Sequence, residues 1–274
     1  MKKTIKKTIK LIIPAKYCKM YRKFFPIKSP YGFFGNYKTW AEAKADSTGY
    51  DDEKILEKVK NNLLKVKHGE AVYERDSVIF DTIQYSWPLL ASLLWITSKN
   101  KNRLNLIDFG GSLGSAYFQN IGFLKHLEEL RWNIVEQNNF TECGKKYFED
   151  ESLKFFTSID NCLKETTPKT ILLSSSVQYL EDPYSFLKNL IPHDFDYIIF
   201  DRTTFLQDSE RITLQKVPPG IYPASYPAWF LHEKKFLDIF KEKYMVKAEW
   251  DALGGKRNLG DIESFEKGFI FVKK

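Results

Sequence analysis

Apolar and polar positions change rhythm near residue 101. Before it, apolar positions recur at helical spacing and predict helices over residues 40–45, 52–66 and 78–97. The last carries Trp87-Pro88, where a residue without an N–H bends or restarts a helix. After it, short apolar runs at 104–109, 132–135, 169–174, 197–200, 245–250 and 268–272 alternate with helix-length segments, and Phe155-Phe156 supplies one more strand. Strands alternating with helices predict an α/β fold, a mostly parallel sheet with helices on both faces. Only a Gly-containing loop separates the last two runs, so they are expected to pair antiparallel. Residues 29–37, rich in Gly and aromatics, read as an irregular connector. The expected organisation is an N-terminal segment 1–28, a helical extension 29–100 and a Rossmann-like domain 101–274.

Charge separates the first segment from the rest. Ten of the 42 basic residues and none of the 35 acidic ones lie in residues 1–28, leaving a body of 32 basic against 35 acidic residues. The net charge of +7 therefore belongs to the tail. Within it Ile5, Ile9, Ile12 and Ile13 recur at helical spacing, Pro14 interrupts, and Tyr17, Met20, Tyr21, Phe24 and Phe25 form a second stripe. A Lys-rich amphipathic segment suits an anionic membrane surface; the alternative is a stripe packed on the domain with its lysines solvated. Deleting residues 1–28 and measuring liposome association separates the two. An acidic body excludes nucleic acid as substrate. No apolar run approaches the roughly 20 residues that span a bilayer, and the lysines run through the segment where a signal peptide needs an apolar stretch. Cys18, Cys143 and Cys162 form no CxxC pair, which predicts a reducing compartment, cytoplasmic and at the inner face of the membrane if the tail binds there. His68, His126 and His193 have no metal-ligand partner at useful spacing, so no metal is expected.

The chemistry begins where the first strand ends. Leu104-Asn105-Leu106-Ile107-Asp108-Phe109-Gly110-Gly111-Ser112-Leu113-Gly114 is an apolar strand, an acid and a Gly-rich turn that opens a helix. Gly110, Gly111 and Gly114 permit a tight turn and close approach of backbone N–H groups to a ligand, and the helix start adds partial positive charge. Asp108 stands where an S-adenosylmethionine (SAM) site places a carboxylate near the cofactor's amino-acid end. Glu136 closes the second strand, beside Gln137, where an acid accepts hydrogen bonds from both ribose hydroxyls. Ile159 and Asp160, just after the third strand, are expected to border the adenine. Ser175, in the run Ser174-Ser175-Ser176, faces the crevice at the carboxyl end of the fourth strand. A turn with a surface acid, and no ligand, is the structural alternative. Asp182-Pro183-Tyr184 lies too far past its strand, and lacks the second proline, for the box of amino-methylating nucleic-acid enzymes; it reads as a helix cap.

Tyr31-Gly32-Phe33-Phe34-Gly35-Asn36-Tyr37, Glu74-Arg75-Asp76-Ser77, the glycine turn through Ser115, Asn133-Ile134-Val135-Glu136-Gln137 and the segment from Pro218-Pro219-Gly220 to Tyr226-Pro227 together resemble a family of SAM-dependent methyltransferases encoded among bacterial surface-polysaccharide genes, for O-antigen and capsule. The resemblance covers roughly residues 31–274. It implies a class I (Rossmann-like) methyltransferase fold with a seven-stranded sheet and an antiparallel closing strand, and SAM as cofactor. It also implies an acceptor among sugar nucleotides, lipid-linked glycans or polymeric glycans. Against the general pattern of three alternate glycines, Ser112 replaces the middle one.

A hydroxyl acceptor must lose a proton, so a base is expected near the crevice. Asp201, with Arg202 to hold an anionic sugar or phosphate group, follows the fifth strand; the alternative is that Asp201 caps a turn and pairs with Arg202. His232 is the second candidate base, or a helix cap. Glu74, Arg75 and Asp76 form a lid over the acceptor or a solvated cluster, and Tyr222 and Tyr226 stack on a sugar or brace their Pro-rich loop. Three other functions compete. Asp194-Phe195-Asp196 matches the DxD of metal-dependent glycosyltransferases, although it runs straight into a buried strand. A nicotinamide enzyme shares the turn and acid, but not the acid before the glycines or the closing hairpin. A membrane adaptor with a degenerate pocket needs the tail alone.

Overall fold

The structure, a computed structural model, describes residues 29–49 and 52–274. Contacts divide the chain into residues 1–32 and 33–274, and the architecture that follows is that of the second unit. The basic tail and its expected helix pair lie outside the described residues.

The N-terminal part of this unit contains β1 (Gly32–Tyr37), α1 (Trp40–Ala45), α2 (Asp52–Lys67), β2 (Tyr73–Arg75), β3 (Val78–Phe80) and α3 (Trp87–Lys99). Two expectations are corrected here. Residues 29–37 are not simply irregular, because β1 lies at the edge of the main sheet beside β9. Residues 78–97 are not one helix: Asp76 and Ser77 both take positive φ, 52° and 58°, and close a two-residue hairpin between β2 and β3. The helix restarts at Trp87-Pro88, with Pro in its first turn. Residues 33–100 and 101–274 belong to one compact unit.

Alternation then follows: β4 (Arg103–Phe109), α4 (Ser115–Leu124), β5 (Glu129–Val135), α5 (Asn138–Tyr147), β6 (Leu153–Phe156), α6 (Ile159–Glu165), β7 (Thr170–Ser174), α7 (Pro183–Leu190), β8 (Tyr197–Leu206), β9 (Arg211–Lys216), β10 (Ser225–His232), α8 (Glu233–Phe240), β11 (Tyr244–Asn258) and β12 (Glu263–Lys273). The central strands run β6-β5-β4-β7-β8 with every neighbouring pair parallel. Strand β12 then pairs antiparallel with both β8 and β11. Seven strands closed by an antiparallel hairpin are the arrangement the resemblance implied.

Apolar side chains seal both faces. Ile55, Val59 and Leu63, four residues apart on α2, join Leu93, Phe140 and Trp132 on one side. Leu187, Phe236 and Phe240 join Ile171 and Ile198 on the other. Strand β8 is longer than predicted and outruns β7, whose last partner is Ser174 opposite Asp201. Past that point β10 takes the vacated flank, with Leu231 opposite Phe205, and β9 pairs antiparallel with β10. A small second wall of strands thus rises above the carboxyl edge of β7, beside the place where the glycine turn opens.

Candidate active site

The turn after β4 shows why its residues are small. Gly110 and Gly114 have φ of +72° and +106°, in the region that favours glycine. A Cβ on Gly110 would stand 2.7 Å from the Cβ of Ser176, and one on Gly111 2.6 Å from the Asp108 carboxyl carbon. Ser112, at the place of the missing middle glycine, itself adopts φ +55°. Its N–H donates to Glu136 Oε1 at 3.1 Å. The departure from the glycine pattern is therefore absorbed by a strained serine that the second-strand acid holds.

Glu136 sits at the carboxyl end of β5, and its Oε2 accepts from the Gln137 N–H at 2.9 Å. The carboxylate is thus turned onto the glycine turn and the start of α5. Asp108, expected near the cofactor's amino-acid end, lies directly beneath the glycine turn. It is 1% exposed and lies against Gly111, and it accepts from Trp132 Nε1 at 2.9 Å. Burial pushes its carboxyl up to about 7. Its visible work is to support the turn. Gln137 is an exposed N-cap of α5; Ile159 opens α6 with its side chain in the core, and Asp160 is exposed in the first turn of that helix. Ser175 takes φ +55°, with its N–H on the Asp201 carbonyl at 2.9 Å.

On the other side of the cleft the β2–β3 hairpin reaches two partners. Glu74 is 1% exposed; its Oε1 accepts from the Ser77 N–H at 2.6 Å and its Oε2 from Ser115 Oγ, at the start of α4. Burial raises this carboxyl to about 7. Asp76 lies 3.6 Å from the Arg202 guanidinium, with side-chain exposures of 57% and 23%. Arg75 lies 3.8 Å from Asp76 and stacks over Phe80. Arg202 also donates to Ser174 Oγ at 3.4 Å, and its φ is +50°. Tyr222 and Tyr226 share a hydroxyl–hydroxyl bond of 3.1 Å, and Tyr226 packs edge-on against Tyr179, whose hydroxyl donates to Gln215 at 2.9 Å.

The two candidate bases are engaged differently: Asp201 is held by side chains from other elements, and His232 takes the helix-cap position that was its alternative. Asp201 is buried, and its Oδ1 accepts from Trp250 Nε1 at 3.0 Å and Ser86 Oγ at 3.4 Å, so it ties β11 and the start of α3 to β8. Burial raises its carboxyl above the usual range. His232 pairs in register with Leu206, five residues beyond Asp201 on β8, which at about 3.3 Å per residue is roughly 16 Å away. It is the N-cap of α8, outside the cleft. The DxD carboxylates lie before β8, at the opposite edge of the sheet; Asp194 pairs with Lys243 at 2.6 Å and with Lys273, and Phe195 is buried.

No family model and no curated protein matches the chain. Similar solved structures include LepI in complex with SAM, at TM-score 0.44 and 10% identity over 68% of this chain and 46% of that one. The chain thus spans about half of LepI. A SAM-dependent methyltransferase from Clostridium acetobutylicum ATCC 824 aligns at TM-score 0.43 and 10% identity over 67% of this chain and 89% of that one. The N-terminal domain of EvdMO1, solved in the presence of S-adenosylhomocysteine (SAH) and D-fucose, aligns at TM-score 0.44 and 10% identity over 82% and 97%. The chain's own sheet order is that of a Rossmann-like α/β fold closed by an antiparallel hairpin.

Two polar residues at the end of the hydroxyl run after β7 were not singled out as site residues in the sequence. Gln178 is buried; its Nε2 donates to the Arg202 carbonyl at 3.0 Å and to Ser175 Oγ at 3.3 Å, while its Oε1 has no partner. Ser176 Oγ, beside Gly110, is likewise buried without a partner. Buried polar atoms are nearly always satisfied, so these two sites favour a ligand or water. Lying beside the glycine turn and the Glu136 carboxylate, they fit a polar ligand there. The sequence signal was faint: polar residues continuing past a strand's carboxyl end. Among the described residues no helix is long and apolar enough to cross a membrane.

Proposed function

We propose that the chain is a SAM-dependent methyltransferase acting on a hydroxyl, amino or phosphate group of a sugar or sugar derivative, in the biosynthesis of a bacterial surface polysaccharide. The observation that carries the reading is the Glu136 carboxylate, turned onto the glycine turn at the carboxyl edge of a sheet closed antiparallel. In this reading Glu136 holds the ribose diol, the turn 110–114 accommodates the amino-acid tail, Ile159 and Asp160 border the adenine, and Ser175 lines the crevice. When bound, the cofactor supplies a methyl group on a sulfonium, already activated for transfer. The protein's task is then to orient the acceptor and manage its proton.

Arg202 orients an anionic group of the acceptor, and Tyr222 and Tyr226 wall the sugar ring. Asp76 is better placed than Asp201 to take a proton: it stands beside Arg202 with its side chain open to solvent, whereas Asp201 is spent on Trp250 and Ser86. The polysaccharide assignment rests on the sequence resemblance. Calorimetry with SAM, SAH, NAD and UDP tests the class: SAM and SAH are expected to bind, NAD and UDP not. Glu136→Ala should weaken SAH by about 100-fold, the scale of two lost charge-assisted hydrogen bonds. Binding of UDP in place of SAH would favour a glycosyltransferase, and binding of none of the four an adaptor. Mass spectrometry of the surface glycan with and without the gene should show a loss of about 14 Da, one methylene.

A further inference from the structure

We propose that Glu74 fixes the charge class of the cofactor by filling, with the protein's own carboxylate, the place at the start of α4 where a phosphate would otherwise sit. The proposal rests on the methyltransferase reading and adds what the cleft refuses. In dinucleotide folds a strand, a glycine turn and a helix start deliver a pyrophosphate to exposed backbone N–H groups, because the helix start is electropositive. The same turn is present here, but a buried carboxylate stands beside its helix start, bonded to the hydroxyl of the first helical residue. Ser115, the first residue of α4, donates to Glu74 Oε2, and the hairpin's own Ser77 N–H holds Oε1 at 2.6 Å, so the carboxylate is fixed in place from both sides.

Two further carboxylates stand around the turn: Asp108 against Gly111 and Glu136 on the Ser112 N–H. Arg202 is coupled electrostatically to both Glu74 and Asp108, yet it is also shared with Asp76 and Asp201. A diphosphate brought to this turn would meet three carboxylates, with one arginine already engaged. A tail carrying an ammonium or sulfonium charge would meet attraction instead. Glu74 arrives from the hairpin, 34 residues before Asp108 in the chain, which is why a search of the glycine turn alone does not find it.

The test is calorimetry on the full chain at pH 8 with adenosine, SAH and ADP. These ligands share the nucleoside and differ in the charge of the tail. The wild type is expected to bind ADP at least about 30-fold more weakly than adenosine, and Glu74→Gln should reduce that ratio to within about 5-fold, with adenosine affinity unchanged. A wild type that binds ADP as well as adenosine overturns the proposal, as does a ratio that Glu74→Gln leaves unmoved. Adenosine binding is the control for folding; if Glu74→Gln loses it, Glu74→Met, similar in volume and uncharged, replaces it and the same ratio decides. A wild type that binds neither SAH nor adenosine overturns the methyltransferase reading, and this proposal with it.

Discussion

The two halves of the cleft are made differently. The half proposed to hold the cofactor is compact in sequence: Asp108, the glycine turn, Glu136 and Ile159 lie on three successive strand ends, each delivered by one β-α step. The half proposed to hold the acceptor is gathered from afar. Asp76 comes from a hairpin that precedes the parallel strands, Arg202 from β8, and Tyr222 and Tyr226 from the segment that leads into and forms β10. Strand ends hold the first half rigidly, while turn and inserted-strand residues define the second. In the proposed reading, holding a nucleoside thus falls to the parallel frame, and choosing an acceptor falls to the hairpin and the strands added beside it.

This contrast can be broken experimentally. The largest effect is expected from Gly111→Ala, whose new Cβ would collide with the Asp108 carboxyl. Overpacking of this kind costs about 1–3 kcal/mol, and calorimetry should detect no SAH binding. If SAH still binds normally, the turn is not part of the site. Next comes pH. Glu74 and Asp108 have folded-state carboxyls near 7, above their ordinary values of 4.5 and 3.8. The folded state therefore holds protons more tightly, and this stabilisation is complete below about pH 4 and lost as pH rises through 7. The melting temperature should fall between pH 5 and pH 8, and Glu74→Gln should flatten part of that slope, by roughly 1–3 kcal/mol. A slope that Glu74→Gln leaves unchanged would show the carboxyl to be ionised throughout. The smallest effect on the cofactor is expected from Arg202→Gln: SAH affinity within about 2-fold of wild type, but methyl transfer to the glycan acceptor reduced at least 10-fold. Equal losses in both would erase the division between the halves.

The same division governs how much could be read from the sequence. Strands β4, β5, β7 and β8 were visible because parallel strands buried on both faces are uninterrupted apolar runs, and the closing hairpin of β11 and β12 because two apolar stretches flank a Gly-containing loop. The turn and Glu136 were visible because their geometry is local. Strands β1, β9 and β10 escaped for opposite reasons. Gly32 and Gly35 weaken the first as a strand signal, and Pro227 argues against the last; yet at Pro227 only β9 flanks β10, so one edge tolerates a missing N–H. The hairpin at Asp76 was mistaken for a helix start because its non-glycine turn residues take positive φ, which composition does not announce. Asp201 looked like the base because it adjoins Arg202 in sequence; only the fold reveals that Trp250, far along the chain, claims its oxygen. Chain neighbours are legible, whereas register across a sheet is not.

Strand β8 has ten residues where its neighbour β7 has five. That surplus is a mounting rail. The parallel frame ends where β7 ends, and the overhang carries β10 and, through it, β9. In the methyltransferase reading proposed above, exchanging that ribbon would change what is modified without touching the residues proposed to hold the methyl donor.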